Sequence, residues 1–164
     1  MVDPSPDENP LAVVAGLPPV SSVVIAAPPD QVFAILMDPS TYPDWLVGAR
    51  RIREVDPDWP AVGSRFHHRI GFGPLQVPGS TSVRRCDRPQ ELALGAGMGP
   101  LGEASVRFRL TATPGGTRVE VTEEPSRGAV RLAWRRCRRT VGAVLWGRNA
   151  VSLAALDRAV TGVP

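Results

Sequence analysis

The order of secondary structure in this chain depends on one stretch, which reads Ala27-Pro28-Pro29-Asp30-Gln31-Val32-Phe33-Ala34-Ile35-Leu36-Met37-Asp38-Pro39-Ser40-Thr41-Tyr42-Pro43-Asp44-Trp45-Leu46. Pro28 and Pro29 suit the first turn of a helix, where no backbone donor is needed. The apolar side chains that follow have the spacing of one helix face: Val32, Phe33, Ile35 and Leu36. Asp38-Pro39 ends this helix, because the residue before a proline is pushed out of the helical region. The segment 42–46 then predicts a second helix of a single turn.

The chain on either side of this stretch is extended. A run rich in Val and Ile at 20–26 predicts a first strand before it. After Gly48 the apolar residues recur at every second position, which indicates strands with one buried face. The predicted strands are 50–55, 63–70, 77–86, 91–96, 104–113 and 117–123. Pro78-Gly79 predicts a bulge or an edge position within 77–86, and Pro125 is expected to end the sheet.

A helical period returns at the end of the chain. One long helix is predicted at about 140–161, after a helical or irregular segment at 130–139. Its apolar stripe consists of Val141, Val144, Leu145, Ser152, Leu156 and Val160, with Leu153 beside it. Gly142 and Gly147 weaken a helix, so we expect another element to pack closely against it. The predicted fold class is α+β, an antiparallel sheet curled around one helix, and such a fold tends to leave a hollow between the two.

The composition is that of an ordinary globular chain of 164 residues, 43% of them hydrophobic. Residues 1–19 are rich in proline and acidic side chains, which predicts a mobile, disordered tail and leaves one domain at 20–162. The net charge is +3, and all 19 basic residues are arginine. An arginine-only basic set is what a GC-rich genome imposes, so no nucleic-acid partner is expected.

The expected cellular location and the expected lack of cofactors both rest on sequence signals that are missing. No apolar run approaches the ~20 residues that span a bilayer, and the acidic start is unlike a secretory signal. A cytoplasmic protein is therefore expected. Cys86 and Cys137 have the spacing of neither a disulfide framework nor a metal site. We expect no metal and no cofactor.

Two polar side chains fall on otherwise apolar faces of predicted strands. His68 shares its face with Phe66, and Glu123 continues the face of Val121. If both side chains point into one hollow, they form an acid–base pair whose proton affinities depend on burial and on each other. Two plainer interpretations remain open, in which Glu123 is solvated at the sheet rim and His68 bonds to a backbone carbonyl.

Arginine pairs and runs supply two further candidates. Arg84 and Arg85 follow one another on a strand, so one of them must point inward or lie at a bulge. An inward arginine would hold a carboxylate or phenolate oxygen, whereas an outward one would pair with Asp87 or Glu91. The basic run Arg135-Arg136-Cys137-Arg138-Arg139 is either an electrostatic docking surface or a solvated helix start.

The order of elements and several motifs resemble the START-like helix-grip superfamily, also called SRPBCC. The matching residues are Pro28, Pro29, Val32, Phe33, Asp38, Tyr42, Pro43 and Trp45, with Gly63, Gly116–Val119 and Arg148–Leu153 in support. The resemblance covers roughly 20–160 and is nearest to the polyketide cyclase/dehydrase and lipid-transport branch. It implies a Bet v 1-like fold of order β-α-α-β(6)-α, in which a seven-stranded curved sheet wraps around the C-terminal helix. It also implies that Tyr42 and Trp45 border the mouth of the cavity.

The resemblance implies a protein that binds a small hydrophobic molecule, either aromatic, polyketide-like or lipid-like, in an internal cavity. The expected ligand-binding residues are Tyr42, Trp45, Phe66, His68, Arg85, Phe108, Val121, Glu123, Asn149 and Ser152. One alternative is a polyketide cyclase or aromatase in which His68 and Glu123 act as acid and base. Another is an interaction module that uses the basic run. A monomer or weak homodimer is expected.

Overall fold

The computed structural model describes residues 20–72 and 74–162, so the tail predicted at 1–19 lies outside the described residues. The elements follow the predicted order, with the segment before the last helix being helical itself. They are β1 (Val20–Ile25), α1 (Pro29–Met37), α2 (Tyr42–Trp45), β2 (Ala49–Val55), β3 (Arg65–Phe72), β4 (Leu75–Asp87), β5 (Glu91–Gly97), β6 (Glu103–Thr113), β7 (Gly116–Arg127), α3 (Gly128–Arg136) and α4 (Arg138–Thr161).

The seven strands form one antiparallel sheet in the order β1-β7-β6-β5-β4-β3-β2. The first strand pairs with the last, through Val23 opposite Val119, and β1 and β2 therefore form the two edges of the sheet. The helices α1 and α2 connect these edges. The seven-stranded sheet is curled, and its inward-facing side chains meet the helices in one core. The helix-grip fold predicted from the sequence is confirmed.

Side-chain hydrogen bonds hold the broken helix α1–α2 in shape. The Asp38 carboxylate accepts the backbone N–H of Ser40 at 3.0 Å and so caps the 3-10 turn between the two helices. The Tyr42 hydroxyl donates to the carbonyl of Leu36 at 2.7 Å. The Trp59 indole N–H donates to the carbonyl of Met37 at 2.6 Å. The bonds from Tyr42 and Trp59 satisfy carbonyls that the end of α1 leaves without partners, and the Asp38 bond satisfies a backbone N–H at the start of the next turn.

The buried face of α4 follows the predicted stripe in its second half and differs from it in the first half, where Val141 and Leu145 are only half-buried and Val144 is exposed. Its buried residues are Gly142, Asn149, Ser152, Leu153, Leu156 and Val160. Val144, which the sequence places in the stripe, is 64% exposed. It shares a face with Val151, seven residues along, and that side chain is exposed too. The stripe therefore turns away from Val144, because residues two turns apart lie on the same side of a helix.

The two prolines in the sheet occupy positions where no partner strand needs their backbone N–H. Pro125 does not end β7, contrary to prediction, because β1 pairs with β7 only as far as Thr122. Beyond that point no strand among the described residues pairs with this side of β7, and a proline is tolerated in such a position. Pro78 lies opposite Arg69 of β3, and the pairing of β4 with β5 begins only at Ser80. The predicted edge position is correct, and the β3–β4 register shows no bulge there.

The space around Gly79 and the space around Gly147 differ: Gly79 is closely packed and Gly147 is not. A Cβ atom on Gly147 would meet nothing within 4 Å, so the close packing expected at this position of α4 is wrong. A Cβ atom on Gly79 of β4 would lie 2.6 Å from the Gly97 carbonyl oxygen and 3.2 Å from Nε2 of His68. Gly79 is therefore required for the strand pairing and for the placement of the imidazole.

We expect Gly147→Ala to raise the free energy of unfolding by about 0.5–1 kcal/mol, because alanine loses less backbone entropy in a helix. Gly79→Ala is the matched control. It should lower the free energy of unfolding, because the new Cβ atom would force the backbone of β5 at Gly97 to shift. Urea denaturation of both variants measures the two changes. Destabilisation by Gly147→Ala would mean that another surface covers this side of α4.

Candidate functional site

The concave face of the sheet, α2 and α4 enclose an internal cavity of about 60 Å³. Most of its wall is apolar, and a few polar side chains interrupt it on β3, β4, β7 and α4. The apolar lining residues include Tyr42, Trp45, Leu46, Val47, Ala49, Ile70, Leu94, Ala96, Met98, Ala104, Val106, Phe108, Val121 and Leu153. The polar ones are His68, Thr81, Glu123, Arg148, Asn149 and Ser152.

Most of the residues expected to bind a ligand line this cavity. They are Tyr42, Trp45, His68, Phe108, Val121, Glu123, Asn149 and Ser152. Trp45 is 2% exposed and lies edge-on to Tyr42 and Phe108, with ring centroids 4.9 and 6.1 Å away. It is therefore at once a core residue and part of the cavity wall. Whether any of these side chains binds a ligand stays a prediction.

Phe66 and Arg85 do not line the cavity, contrary to prediction. Phe66 is 1% exposed and packs edge-on between Tyr42 and Trp59, with ring centroids 5.2 and 4.9 Å away. It supports the wall from behind, as part of the core. Arg85 is exposed and forms an ion pair with Asp87. A register shift between Val83 and Arg85 in β4 lets Arg84 and Arg85 both remain on the outside.

Glu123 is paired with Arg148 rather than with His68. The Glu123 carboxylate, on β7, is 5% exposed and accepts a hydrogen bond from Nη2 of Arg148 on α4. The same Nη2 donates to Oδ1 of Asn149 at 3.1 Å. His68 lies on β3, which is separated from β7 by three strands of the sheet, and no hydrogen bond between described residues joins it to Glu123. The predicted acid–base pair is therefore not formed directly, although both side chains face one cavity.

Arg148 was not among the site residues expected from the sequence. A usable signal was present, because Arg148 and Asn149 precede Ser152 by four and three residues, which places all three on neighbouring positions of one helix side. The stripe of α4 becomes polar there, opposite the buried carboxylate of Glu123. An ion pair of this kind is expected wherever a charged group must lie inside.

Three buried nitrogen atoms at the cavity have no hydrogen-bond partner among the described residues: Nδ1 of His68, Nε of Arg148 and Nδ2 of Asn149. Asn149 Oδ1 accepts from Arg148, so its Nδ2 is a donor. A buried polar group without a partner costs about 1–3 kcal/mol. Arg148 Nε and Asn149 Nδ2, on successive residues of α4 that line the cavity, are thus N–H donors without an acceptor among the described residues.

Ser152 has a structural role. Its hydroxyl accepts the backbone N–H of Val47 at 3.0 Å and donates to the carbonyl of Arg148 at 3.0 Å. These two bonds tie the segment after α2 to the middle of α4. Ser152 lines the cavity with its one hydrogen-bond donor already used, so it has no donor left for a ligand, whereas Asn149 has one at Nδ2.

A second, more open pocket of about 480 Å³ adjoins the cavity. Its lining is mainly apolar and comes from the β3–β4 hairpin, the segment after α2 and the β5–β6 connection. Four residues line both spaces: Val47, Ile70, Met98 and Arg148. These side chains therefore form the wall between the inner cavity and the outer pocket.

Burial keeps the His68 imidazole uncharged at neutral pH. The pKa of His68 lies below its ordinary value of 6.5, mainly because burial penalises the charged ring and secondly because His67 adds positive charge nearby. The ring lies against Phe66, with centroids 5.4 Å apart. A neutral imidazole with a free Nδ1 is able to exchange a proton or a hydrogen bond with a molecule in the cavity.

The basic run crosses the break between α3 and α4, so it does not lie on one continuous helix. Arg135 and Arg136 end α3, and Arg138 begins α4 with its guanidinium carbon 5.3 Å from the Trp134 ring centroid. A docking role for this run stays a prediction. Within residues 20–72 and 74–162, no helix is long and apolar enough to cross a membrane, and no group of three or more His, Cys, Asp and Glu side chains is placed to hold a metal ion.

Comparison with known proteins settles the family. The family model described as "Polyketide cyclase / dehydrase and lipid transport" matches residues 20–160. The chain belongs to this family. The description is in keeping with the binding of hydrophobic molecules, and the resemblance stated from the sequence is confirmed. No curated protein matches the sequence of this family member.

Solved structures share the fold of this polyketide cyclase/dehydrase and lipid-transport family member at low identity. Protein NE0264 from Nitrosomonas europaea is 18% identical with a TM-score of 0.67, over 90% of this chain and 96% of that one. A protein of unknown function from Staphylococcus aureus, SA2116, is 11% identical with a TM-score of 0.68, over 87% and 92%. Ara h 8.0201 is 12% identical with a TM-score of 0.58, over 88% and 97%.

We expect the free energy of unfolding to fall as the pH is lowered below about 6.5, the ordinary pKa of histidine. In that range the unfolded chain binds a proton at His68 while the folded chain does not, so acid favours the unfolded state. The contribution of His68 to the free energy of unfolding is complete above pH 6.5. It is lost as the pH falls toward the lower pKa that His68 has in the folded state.

Urea denaturation between pH 7.5 and 5 measures this dependence. His68→Gln should flatten it, whereas the matched control His67→Gln, at an exposed position, should retain most of it. The same pH dependence in His68→Gln and in the wild type would contradict the assignment.

Proposed function

We propose that this protein binds a small hydrophobic molecule, aromatic, polyketide-like or lipid-like, in the cavity between the sheet and α4. The observation that carries the proposal is an apolar cavity whose wall holds unpartnered hydrogen-bond donors at Arg148 and Asn149. Apolar surface provides the affinity, and a few fixed polar groups orient the ligand. The family description supports the same class of ligand.

The size of the two spaces indicates how such a ligand is accommodated. The inner cavity, at about 60 Å³, is smaller than the roughly 300–1,000 Å³ of ordinary small-molecule sites, whereas the outer pocket, at about 480 Å³, falls within that range. Of the apolar residues between them, Met98 has the most adaptable side chain, being unbranched with three rotatable bonds, whereas Arg148 is held by Glu123. We propose that rotation of Met98 joins the two spaces, so that the ligand's polar end reaches Arg148 and its apolar body fills the outer pocket.

The energy available is sufficient for useful affinity. Removal of about 300 Å² of apolar ligand surface from water contributes about 7 kcal/mol at 25 cal/mol per Å². Ligand immobilisation offsets part of this gain. Hydrogen bonds to Arg148 Nε and Asn149 Nδ2 add to it, because those donors are otherwise without partners.

We expect Ala104→Leu to weaken ligand uptake at least tenfold, because the larger side chain occupies the inner cavity. Ala104 is 2% exposed and lines the cavity from β6. Ala112→Leu, at the exposed far end of the same strand, is the matched control and should leave uptake unchanged. Fluorescence titration with the neutral dye N-phenyl-1-naphthylamine measures uptake, and native mass spectrometry of the purified protein shows any molecule that accompanies it.

A thermal melt of both variants separates loss of binding from loss of folding, since overpacking costs about 1–3 kcal/mol where the site does not yield. Equal dye affinity in the two variants would contradict the cavity as the binding site. Absence of dye binding in the wild type would contradict the proposed function itself.

A second candidate is catalysis in the same cavity, as a polyketide cyclase. The observation that favours it is the buried, uncharged imidazole of His68 with a free Nδ1 at the cavity wall. A neutral imidazole there is able to take a proton from a carbon next to a ketone, which is the step that starts ring closure of a poly-β-ketone. Glu123 would act through Arg148, by keeping its guanidinium in place beside the developing enolate oxygen.

We expect His68→Gln to abolish turnover of a poly-β-ketone thioester and to retain binding of the naphthylamine dye. Chromatography of the aromatic product measures turnover. Equal product formation by the wild type, by His68→Gln and by buffer alone would contradict a catalytic role, while dye binding would still support the binding function.

A further inference from the structure

We infer that the cavity prefers a ligand whose polar end is a neutral carbonyl oxygen over one that ends in a carboxylate, and that Glu123 sets this preference. The inference rests on the proposed binding function and names the chemical class of its ligand. It concerns ketones, esters and quinone-like molecules on one side and fatty or aromatic acids on the other.

The first observation is the chemistry of the free donors. Arg148 Nε and Asn149 Nδ2 are buried N–H donors without partners, on successive residues of α4. Asn149 is 3% exposed, so its amide serves only what enters the cavity. Neighbouring N–H groups suit an acceptor oxygen, and a carbonyl and a carboxylate offer one equally well. The donors alone therefore require an acceptor and do not choose between the two classes.

The second observation is the charge beside those donors. Arg148 is the one permanent cation among the described residues that line the cavity, and its Nη2 is bonded to the carboxylate of Glu123. His68, the other basic side chain in the wall, is held uncharged by burial. The positive charge of Arg148 is thus already balanced inside the protein.

A ligand carboxylate at the free donors would place a second negative charge next to Glu123. The Glu123 side chain is 6% exposed, and water does little to screen the repulsion at such a depth. A neutral carbonyl oxygen uses the same donors without this repulsion. The Glu123–Arg148 ion pair consequently lowers the affinity for ligands that end in a carboxylate. It leaves the hydrogen bonds to a neutral ligand unaffected.

Glu123→Gln is the variant that isolates the charge. Glutamine keeps an oxygen able to accept the hydrogen bond from Arg148 and removes the negative charge, so Arg148 is left with an unbalanced positive charge. Glu124, the next residue on β7, is exposed on the outer face, and Glu124→Gln removes an equal charge outside the cavity. It is the matched control for the net charge of the whole protein.

The probes are 2-undecanone and decanoic acid, which have the same alkyl chain and differ by a methyl group in place of a hydroxyl. At pH 7.5 the acid is ionised, and isothermal titration calorimetry measures the affinity for each. We expect the wild type to bind 2-undecanone at least tenfold more tightly than decanoate. Glu123→Gln should reduce that ratio at least tenfold by gaining affinity for decanoate, and Glu124→Gln should keep the ratio of the wild type.

Each outcome bears on a different claim. Equal binding of both probes by the wild type overturns the inference without any variant, and leaves the binding function standing. An unchanged ratio in Glu123→Gln, with a cooperative thermal melt, overturns the role of Glu123. Failure of the wild type to bind either probe overturns the inference, and failure to bind the naphthylamine dye as well overturns the proposed function.

Discussion

The pairing of the first strand with the last constrains the rest of this structure. Because β1 lies beside β7, the remaining strands spread away from it and β2 becomes the far edge of the sheet. Six inter-strand spacings of about 4.8 Å separate β1 from β2 along the sheet. The chain crosses this distance within α1 and α2, which is feasible because the sheet curls. The crossing helices and α4 then share one concave face, and the space that they do not fill is the cavity.

Local pattern was enough to predict the order of the strands and helices, because most of them have one buried face and therefore a clear period. The clean alternation around Phe66 and His68 predicts the inward side of β3 correctly, and His67 is exposed as the opposite side requires. The prolines near Asp38 mark the break between α1 and α2 for a steric reason that needs no tertiary information. Elements whose boundaries depend on a single local rule were thus predictable from the residues alone.

Features that depend on partner elements were not predictable in this way. Pro125 was expected to end the sheet, and it does not, because the end of pairing with β1 is a property of two distant segments. For Arg85 the sequence left open an inward side chain that binds a ligand and an outward ion pair with Asp87 or Glu91, and the register shift that decides for the ion pair is defined only by the pairing of β4 with β5. The link between Glu123 and Arg148 joins residues on β7 and α4, and no local period connects them.

The hydroxyl of Ser152 has a consequence for exchange of molecules between the interior and solvent. It fixes the backbone at Val47 to α4, and Val47 belongs to the wall between the inner cavity and the outer pocket. On the opposite side of this wall lie Ile70 of β3 and Met98, which follows β5. Under the proposed joining of the two spaces, the rate at which a ligand enters and leaves would therefore depend on the β5–β6 connection, while the long helix would stay in place.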